Sequence, residues 1–174
     1  KNKVSCKAKA VDLLARSEQS RKRLIEKLKR SKYSEEEIEE TVAWLEEKRY
    51  LREEDCCERR FQYMYEDSSY SLRQICVKLM QQGFERNLIH SFIPDDTYER
   101  EMAAAQRVAA SKFKPGMDQR KLMNFLCSKG FDYDVSRSVV NDLLDDAWDC
   151  FILLPFYDII TPSELFKGGN TLGK

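Results

Sequence analysis

The chain has 174 residues, enough for one large domain or a few small ones, and a formal net charge of +0 at pH 7. Hydrophobic residues make up 42% and charged residues 34%, with 6 Gly and 4 Pro, a balance typical of helices that bury one apolar stripe. The 6 cysteines form no CxxC pair and no regular framework, which argues against a small disulfide-rich secreted domain and indicates reduced, cytoplasmic thiols.

Metal and membrane sites are both disfavoured by the residues themselves. His90 is the only histidine, and the adjacent Cys56 and Cys57 lack the spacing that zinc ligands need, so we expect no metal and no cofactor. The apolar run CFILLPFYDII (150–160) is short and contains a proline and an aspartate, whereas a membrane span needs roughly 20 apolar residues. We expect this run to pack on the body of the protein, without a membrane.

Three stretches of the chain share one pattern of residue types. Each starts with a residue that can cap a helix, continues with an apolar helical face, and ends in a turn followed by an aromatic side chain. Glycine suits the left-handed conformation of such a turn, and lysine in the first copy is the imperfect member. The aligned positions are the caps Ser20, Ser71 and Asp118, the apolar residues Leu24, Ile75 and Leu122, the leucines Leu28, Leu79 and Leu126, the turn residues Lys32, Gly83 and Gly130, and the aromatics Tyr33, Phe84 and Phe131.

The repeat of roughly fifty residues leaves room for three helices in each copy. In the first copy the predicted helices cover VSCKAKAVDLLAR, RKRLIEKLKR and EEEIEETVAWLEEK, the last opened by a capping box of Ser34 and Glu37. The later helices are predicted to begin near Glu53, Ser71 and Glu85 in the second copy, and at Asp96 with Glu99 as a cap pair, after Asp118, and after Asp132 or Asp134 in the third.

This organisation predicts an all-α fold of three tandem three-helix repeats. Because three short helices bury little surface alone, we expect the units to stack into an elongated, curved array. The predicted units cover residues 4–52, 53–94 and 95–147, and a C-terminal tail covers 148–174. The large apolar residues expected in the core or between repeats are Trp44, Leu45, Phe61, Met64, Phe113, Phe125 and Val139.

Charge is segregated along the chain, since residues 1–32 are strongly basic and 33–58 and 132–164 are acidic. Lys22, Arg73 and Arg120 each stand two residues after a cap, where a cation opposes the helix dipole by about 0.3 to 1 kcal/mol. They are either contacts to phosphate or to a partner carboxylate, or solvated side chains with salt bridges. The candidates for DNA or partner binding are Lys22, Arg23, Lys29, Arg30, Arg59, Arg60, Arg73, Arg120 and Lys121.

No motif of a catalytic or nucleotide-binding site is present. The sequence contains neither GxxxxGK[ST] nor GxGxxG, and one histidine gives little support to a nucleophilic triad. Adjacent carboxylates, Asp95 with Asp96 and Asp145 with Asp146, are better explained as helix caps and solvated faces than as acid-base pairs. We therefore expect a binding protein with no catalytic residues.

The pattern AVDLLARSEQSRKRLIEKLKRSKYSEEEIEETVAWLEEKRYL, followed by SLRQICVKLMQQGF and RKLMNFLCSKGFDYDV, resembles the RecX family of bacterial regulators of the RecA recombinase. The resemblance covers roughly residues 8 to 147 and departs from the family in the tail. It implies tandem three-helix repeats similar to helix-turn-helix units, which bind within the groove of the RecA-DNA filament. There they would inhibit the recombinase, ATPase and coprotease activities of RecA.

Two other functions stay open at this stage, a stand-alone DNA-binding regulator of helix-turn-helix type and a protein-only helical adaptor. The acidic third helix EEEIEETVAWLEEK is repelled by phosphate, which argues for the filament regulator. We expect its binding to single- and double-stranded DNA to be weak, sequence-tolerant and steeply weakened by salt.

Overall fold

The computed structural model describes the backbone of residues 4–114 and 116–153 and the side chains of these residues up to 143. The described part of the chain forms nine α-helices and no strand. Residues 154–174, which include most of the predicted tail, lie outside it, as do the side chains of Asp145, Asp146 and Cys150. The helices are α1 (Cys6–Arg16), α2 (Arg21–Arg30), α3 (Glu35–Glu47), α4 (Glu53–Asp67), α5 (Leu72–Gln81), α6 (Arg86–His90), α7 (Tyr98–Lys112), α8 (Gln119–Ser128) and α9 (Tyr133–Leu153).

The helices pack in threes, which confirms the prediction of an all-α fold of tandem three-helix repeats. We call α1–α3 the first unit, α4–α6 the second and α7–α9 the third, and each unit encloses its own hydrophobic cluster. Leu28, Leu79 and Leu126 are each 0% exposed and occupy the same place in the three clusters. Of the predicted core residues, Leu45, Phe61, Met64 and Val139 are buried, whereas Trp44, Phe113 and Phe125 are partly buried at the cluster edges.

Helix starts follow the predicted capping chemistry with one exception. The side chains of Ser20, Ser71 and Asp118 accept hydrogen bonds from the first turns of α2, α5 and α8, and the Ser34 capping box opens α3. The predicted Asp96 and Glu99 cap pair is wrong, because the N-cap of α7 is Thr97. The Asp96 carboxylate instead accepts from the backbone N–H of Tyr98 at 3.0 Å, as an aspartate does in a local turn.

Each middle helix ends in a left-handed turn that returns an aromatic residue to the core. The backbone φ is +63° at Lys32, +93° at Gly83 and +86° at Gly130. Phe84 and Phe131 behind the glycines are 3% exposed each. The position that the sequence marked as turn-forming is therefore left-handed in all three units.

Consecutive units are joined where one middle helix ends on the start of another. The Ser20 hydroxyl donates to the Gln82 carbonyl oxygen at 2.6 Å, and the Ser71 hydroxyl donates to the Lys129 carbonyl oxygen at 2.7 Å. Each hydroxyl also accepts from its own helix, so it bridges the C-terminal turn of one helix and the N-terminus of another. We call these contacts the 1–2 joint and the 2–3 joint. They bring the C-terminal turn of α8 to the N-terminus of α5, and that of α5 to the N-terminus of α2, so the three helices follow one another end to end.

The joints require glycine at the turn. A Cβ atom on Gly83 would lie 2.6 Å from the Ser20 hydroxyl oxygen, and one on Gly130 would lie 2.9 Å from that of Ser71. Both distances are shorter than the van der Waals contact of a carbon with an oxygen atom, so any Cβ there would clash. Lys32 takes the same backbone conformation at the end of α2, which receives no cap-serine hydrogen bond in the described residues. The lysine that interrupts the sequence pattern thus stands where no joint is made.

A glutamate from the first helix of the following unit reinforces each joint. Glu53 accepts from the backbone N–H of Arg21 at 3.1 Å, and Glu101 accepts from that of Leu72 at 2.9 Å. Both donors belong to the orphan N–H groups of a helix start, which otherwise lack a partner inside the helix. Burial raises the pKa of both Glu53 and Glu101, against the lowering by these N–H donors.

Alanine substitutions at the glycines should separate the cost of a steric clash at the joints from the cost of a left-handed backbone conformation. Gly116 also has a positive φ, +80°, but a Cβ there would meet nothing within 4 Å. Gly116→Ala should therefore cost roughly 1 to 2 kcal/mol for the left-handed backbone alone. Gly83→Ala and Gly130→Ala should each cost about 1 to 3 kcal/mol more, because the added methyl breaks the serine-carbonyl hydrogen bond. Denaturant unfolding measures all three, and equal losses would contradict the joints.

Candidate partner-binding surface

The middle helices are rich in Lys and Arg and poor in Asp and Glu. The sequence of α2 is RKRLIEKLKR, with Glu26 as its only acid, whereas LRQICVKLMQ in α5 and QRKLMNFLCS in α8 contain no acid. Because the joints set these helices end to end, their cationic side chains follow one another across all three units. We call this set, the Lys and Arg side chains of α2, α5 and α8, the basic track.

The repeated cations of the track stand beside the joints. A Cβ on Gly83 would lie 3.2 Å from the Lys22 Cβ, and one on Gly130 would lie 3.1 Å from the Arg73 Cβ. Lys22 and Arg73 thus occupy equivalent places, and Arg120 holds the corresponding position at the start of α8. All three side chains are exposed, and none forms an ion pair with another described residue.

The other candidate residues of the basic track differ in whether they form an ion pair within the protein. Arg23, Arg30 and Lys121 are exposed and make no ion pair within the described chain. Lys29 pairs with Glu35 at 2.7 Å, and this contact raises the pKa of Lys29 and lowers that of Glu35. Lys29 is therefore partly neutralised, while the other three present a full charge to solvent.

Two sequence candidates, Arg59 and Arg60, reach into the 1–2 joint. The Arg59 guanidinium donates to the Glu18 carboxylate at 2.5 Å, which lowers the pKa of Glu18. Arg60 donates to the Glu18 carbonyl oxygen at 2.5 Å and to the side-chain oxygen of Gln82. Both guanidinium groups thus hold the first unit to the second, and their donors are taken up by that contact.

Arg100 is the structural residue that the sequence reasoning missed. Its guanidinium, in a side chain only 14% exposed, pairs with Glu101 at 2.7 Å. It also donates to main-chain carbonyls at and beyond the end of α4, at Met64, Tyr65, Ser68 and Tyr70. A usable signal was present, because the pair Arg100 and Glu101 repeats Arg52 and Glu53, which stand at the start of the first helix of the preceding unit. The alignment centred on the middle helices and so overlooked it.

The described residues offer little for covalent or metal chemistry. Burial raises the pKa of Cys56, and it raises the pKa of Cys57 to about 12, so both thiols stay protonated and unreactive near neutral pH. No group of three or more His, Cys, Asp or Glu residues in the described chain is placed to hold a metal ion. None of the described helices combines the length and the apolar character that a bilayer crossing requires.

Comparisons with known proteins agree on one family. Residues 6–45 match the model of the first three-helix domain of RecX. The chain is 31% identical over 159 residues to the regulatory protein RecX of Neisseria meningitidis serogroup B, covering 86% of this chain and 97% of that one. Identity to the regulatory protein RecX of Caldanaerobacter subterraneus is 28%, over 76% of this chain and 67% of that one. The crystal structure of RecX from Lactobacillus salivarius superposes with a TM-score of 0.67 at 20% identity, over 79% of this chain and 94% of that one.

Removing the Arg100 side chain should destabilise the contact between the second and third units. Arg100→Ala leaves Glu101 buried without its cation and removes a donor from four carbonyls, of which only those of Met64 and Ser68 keep another side-chain donor. This should cost about 3 to 5 kcal/mol in the free energy of unfolding. Arg59→Ala at the 1–2 joint should cost far less, because both partners of that ion pair are more than half exposed. Denaturant unfolding of the two variants gives the comparison, and similar losses would show that the two arginines are equivalent.

Proposed function

The chain belongs to the RecX family of regulatory proteins, and from that premise we propose that it binds the filament which the RecA recombinase forms on DNA. Binding inhibits the recombinase, ATPase and coprotease activities of that filament. The protein needs no catalytic group of its own for this role. Regulation comes from occupying surface on the filament. This role is compatible with the raised pKa of the buried Cys57 thiol and with the lack of a metal cluster among the described residues.

The observation that carries the proposal is the basic track. Lys22 and Arg73 stand at the N-termini of helices, where a cation opposes the helix dipole, yet both are exposed and without an ion pair in the described chain. Helix stability does not favour a cation at these positions, and this supports contact with phosphate or a partner carboxylate. Since the joints repeat this position from unit to unit, a ligand with regularly spaced negative charges fits the track.

The track supports phosphate contacts more than the reading of base edges. The third helix of the first unit, α3, is EEEIEETVAWLEE, and its exposed glutamates would meet the negative backbone of a groove. A sequence-specific helix-turn-helix reader places polar and basic side chains on that helix instead. DNA binding through the track is accordingly weak, tolerant of sequence and sensitive to salt, with the protein component of the filament supplying the remaining contacts.

The proposed role is tested by DNA-dependent ATP hydrolysis. Purified protein added in substoichiometric amounts to RecA of the same organism on single-stranded DNA should slow ATP hydrolysis. The same RecA without DNA serves as the background. Normal hydrolysis at equimolar protein, together with tight binding to one particular duplex sequence, would contradict the filament role and favour a stand-alone DNA reader.

The basic track predicts the salt dependence of DNA binding. Replacing Lys22, Arg73 and Arg120 by alanine removes three phosphate contacts, so the slope of log affinity against log salt should fall in magnitude by about 2 to 3. Inhibition of RecA should weaken in parallel. Folding should persist, since all three side chains are exposed.

A control variant separates the track from total charge. Replacing Lys9, Lys48 and Lys112 by alanine removes the same charge from α1, the end of α3 and α7, outside the track. It should leave the salt slope nearly unchanged. Fluorescence anisotropy of labelled DNA across a salt series measures both variants. Equal slopes in the two would show that net charge, and not the track, governs binding.

A further inference from the structure

Val77 and Met80 are large apolar side chains left exposed on α5. They are 41% and 39% exposed and lie one helical turn apart, so they share one face of the helix. This face borders a groove of about 510 Å³ at the 2–3 joint. Cys76 and Ile93 extend the apolar lining, and Arg73, Arg86 and His90 contribute basic side chains. The groove therefore combines an apolar floor with a cationic rim.

The cations of the rim are not neutralised by the groove itself. Glu101 also lines it, but that carboxylate already accepts from the Arg100 guanidinium at 2.7 Å and the Leu72 N–H at 2.9 Å. Neither Arg73 nor Arg86 forms an ion pair with a described residue. Asp132 is left as the one uncommitted acid of the lining. A ligand that brings carboxylates would find Arg86 available, while Arg73 belongs to the basic track.

A groove also lies at the 1–2 joint, but its lining differs. It holds about 700 Å³, and Glu53 and Glu85 take the places of Glu101 and Asp132 in the repeat. Its apolar lining is Leu51 and Leu88, its arginines are Arg49 and Arg52, and its acids are Glu46, Glu53, Glu54, Asp55 and Glu85. No residue of α2 lines it, and Glu26 and Lys29 hold the places in α2 that Val77 and Met80 hold in α5. The exposed apolar pair is therefore a feature of the 2–3 groove.

We propose that the 2–3 groove binds a segment of the partner protein whose apolar side chains are flanked by carboxylates. Apolar residues of the segment cover Val77 and Met80, and its carboxylates pair with Arg86, which lies outside the basic track. This inference rests on the proposed function. In it, α5 and the neighbouring ends of α7 and α9 contact the protein component of the filament.

A nucleic acid fits the groove less well than a protein segment. Single-stranded bases bind to proteins by stacking on aromatic rings, and the floor residues Cys76, Val77, Met80 and Ile93 offer none. Methionine adapts its shape to apolar partners and recurs on surfaces that bind protein segments. The rim then orients the segment through charge, while the floor provides the apolar contact area.

Separating inhibition from DNA binding tests the groove. Val77→Gln with Met80→Gln removes the apolar floor and keeps good helix formers on α5. The concentration for half-maximal inhibition of RecA ATP hydrolysis should rise about tenfold, as expected for losing roughly one buried side chain's worth of apolar contact. Affinity for single-stranded DNA should stay within about twofold, and the thermal midpoint should not change. Val11→Gln is the matched control, since Val11 is 39% exposed on α1 away from the groove.

Arg86→Gln tests the rim separately, because Arg86 lies outside the basic track. It should weaken inhibition of RecA, whereas the control Val11→Gln should inhibit like the wild type. A double variant that inhibits like the wild type overturns the groove proposal and leaves the filament role standing. A double variant that loses DNA affinity and inhibition by the same factor also overturns it, since the occupant would then be nucleic acid. A wild-type protein without effect on RecA would overturn both proposals.

Discussion

The arrangement of the three units depends on a serine hydroxyl that donates and accepts at once. As an acceptor, Ser20 or Ser71 caps its own helix, and as a donor it holds the carbonyl that ends the next middle helix. Backbone atoms that two separate helix ends would leave to solvent are thus satisfied against each other. The order of the units, the direction of the middle helices and the continuity of the basic track all follow from this contact.

The two joints share this contact and differ in what surrounds it. At the 2–3 joint a buried ion pair between Arg100 and Glu101 closes over the main chain of the second unit. At the 1–2 joint the ion pair between Arg59 and Glu18 is open to solvent. Because salt screens exposed charges much more than buried ones, ionic strength acts mainly on the attachment of the first unit. That unit also carries the most basic helix, α2, so salt should weaken its attachment together with the phosphate contact that we propose for it.

Helix caps, turns and buried leucines could be predicted from the sequence, whereas contacts between residues far apart in the chain could not. Caps at Ser20, Ser71 and Asp118, the left-handed turns and the buried leucines depend on residues a few positions apart, and their spacing identified them. The donor role of the serines joins residues about sixty positions apart, and no spacing rule reveals it. Similarly, Arg59 and Arg60 have the composition of a binding patch, but only the fold shows that carbonyl and carboxylate oxygens of the first unit already occupy them.

The chemistry of the joint also limits how many units can be strung together. A head-to-tail contact between identical surfaces grows without end unless its terminal members are altered. At the start of α8 the cap is Asp118, whose carboxylate accepts from the Arg120 N–H but has no proton to give to an arriving carbonyl. At the end of α2, Lys32 places a side chain where the joints have only hydrogen. Neither end therefore offers the donor or the space that the serine-carbonyl contact of the two joints uses.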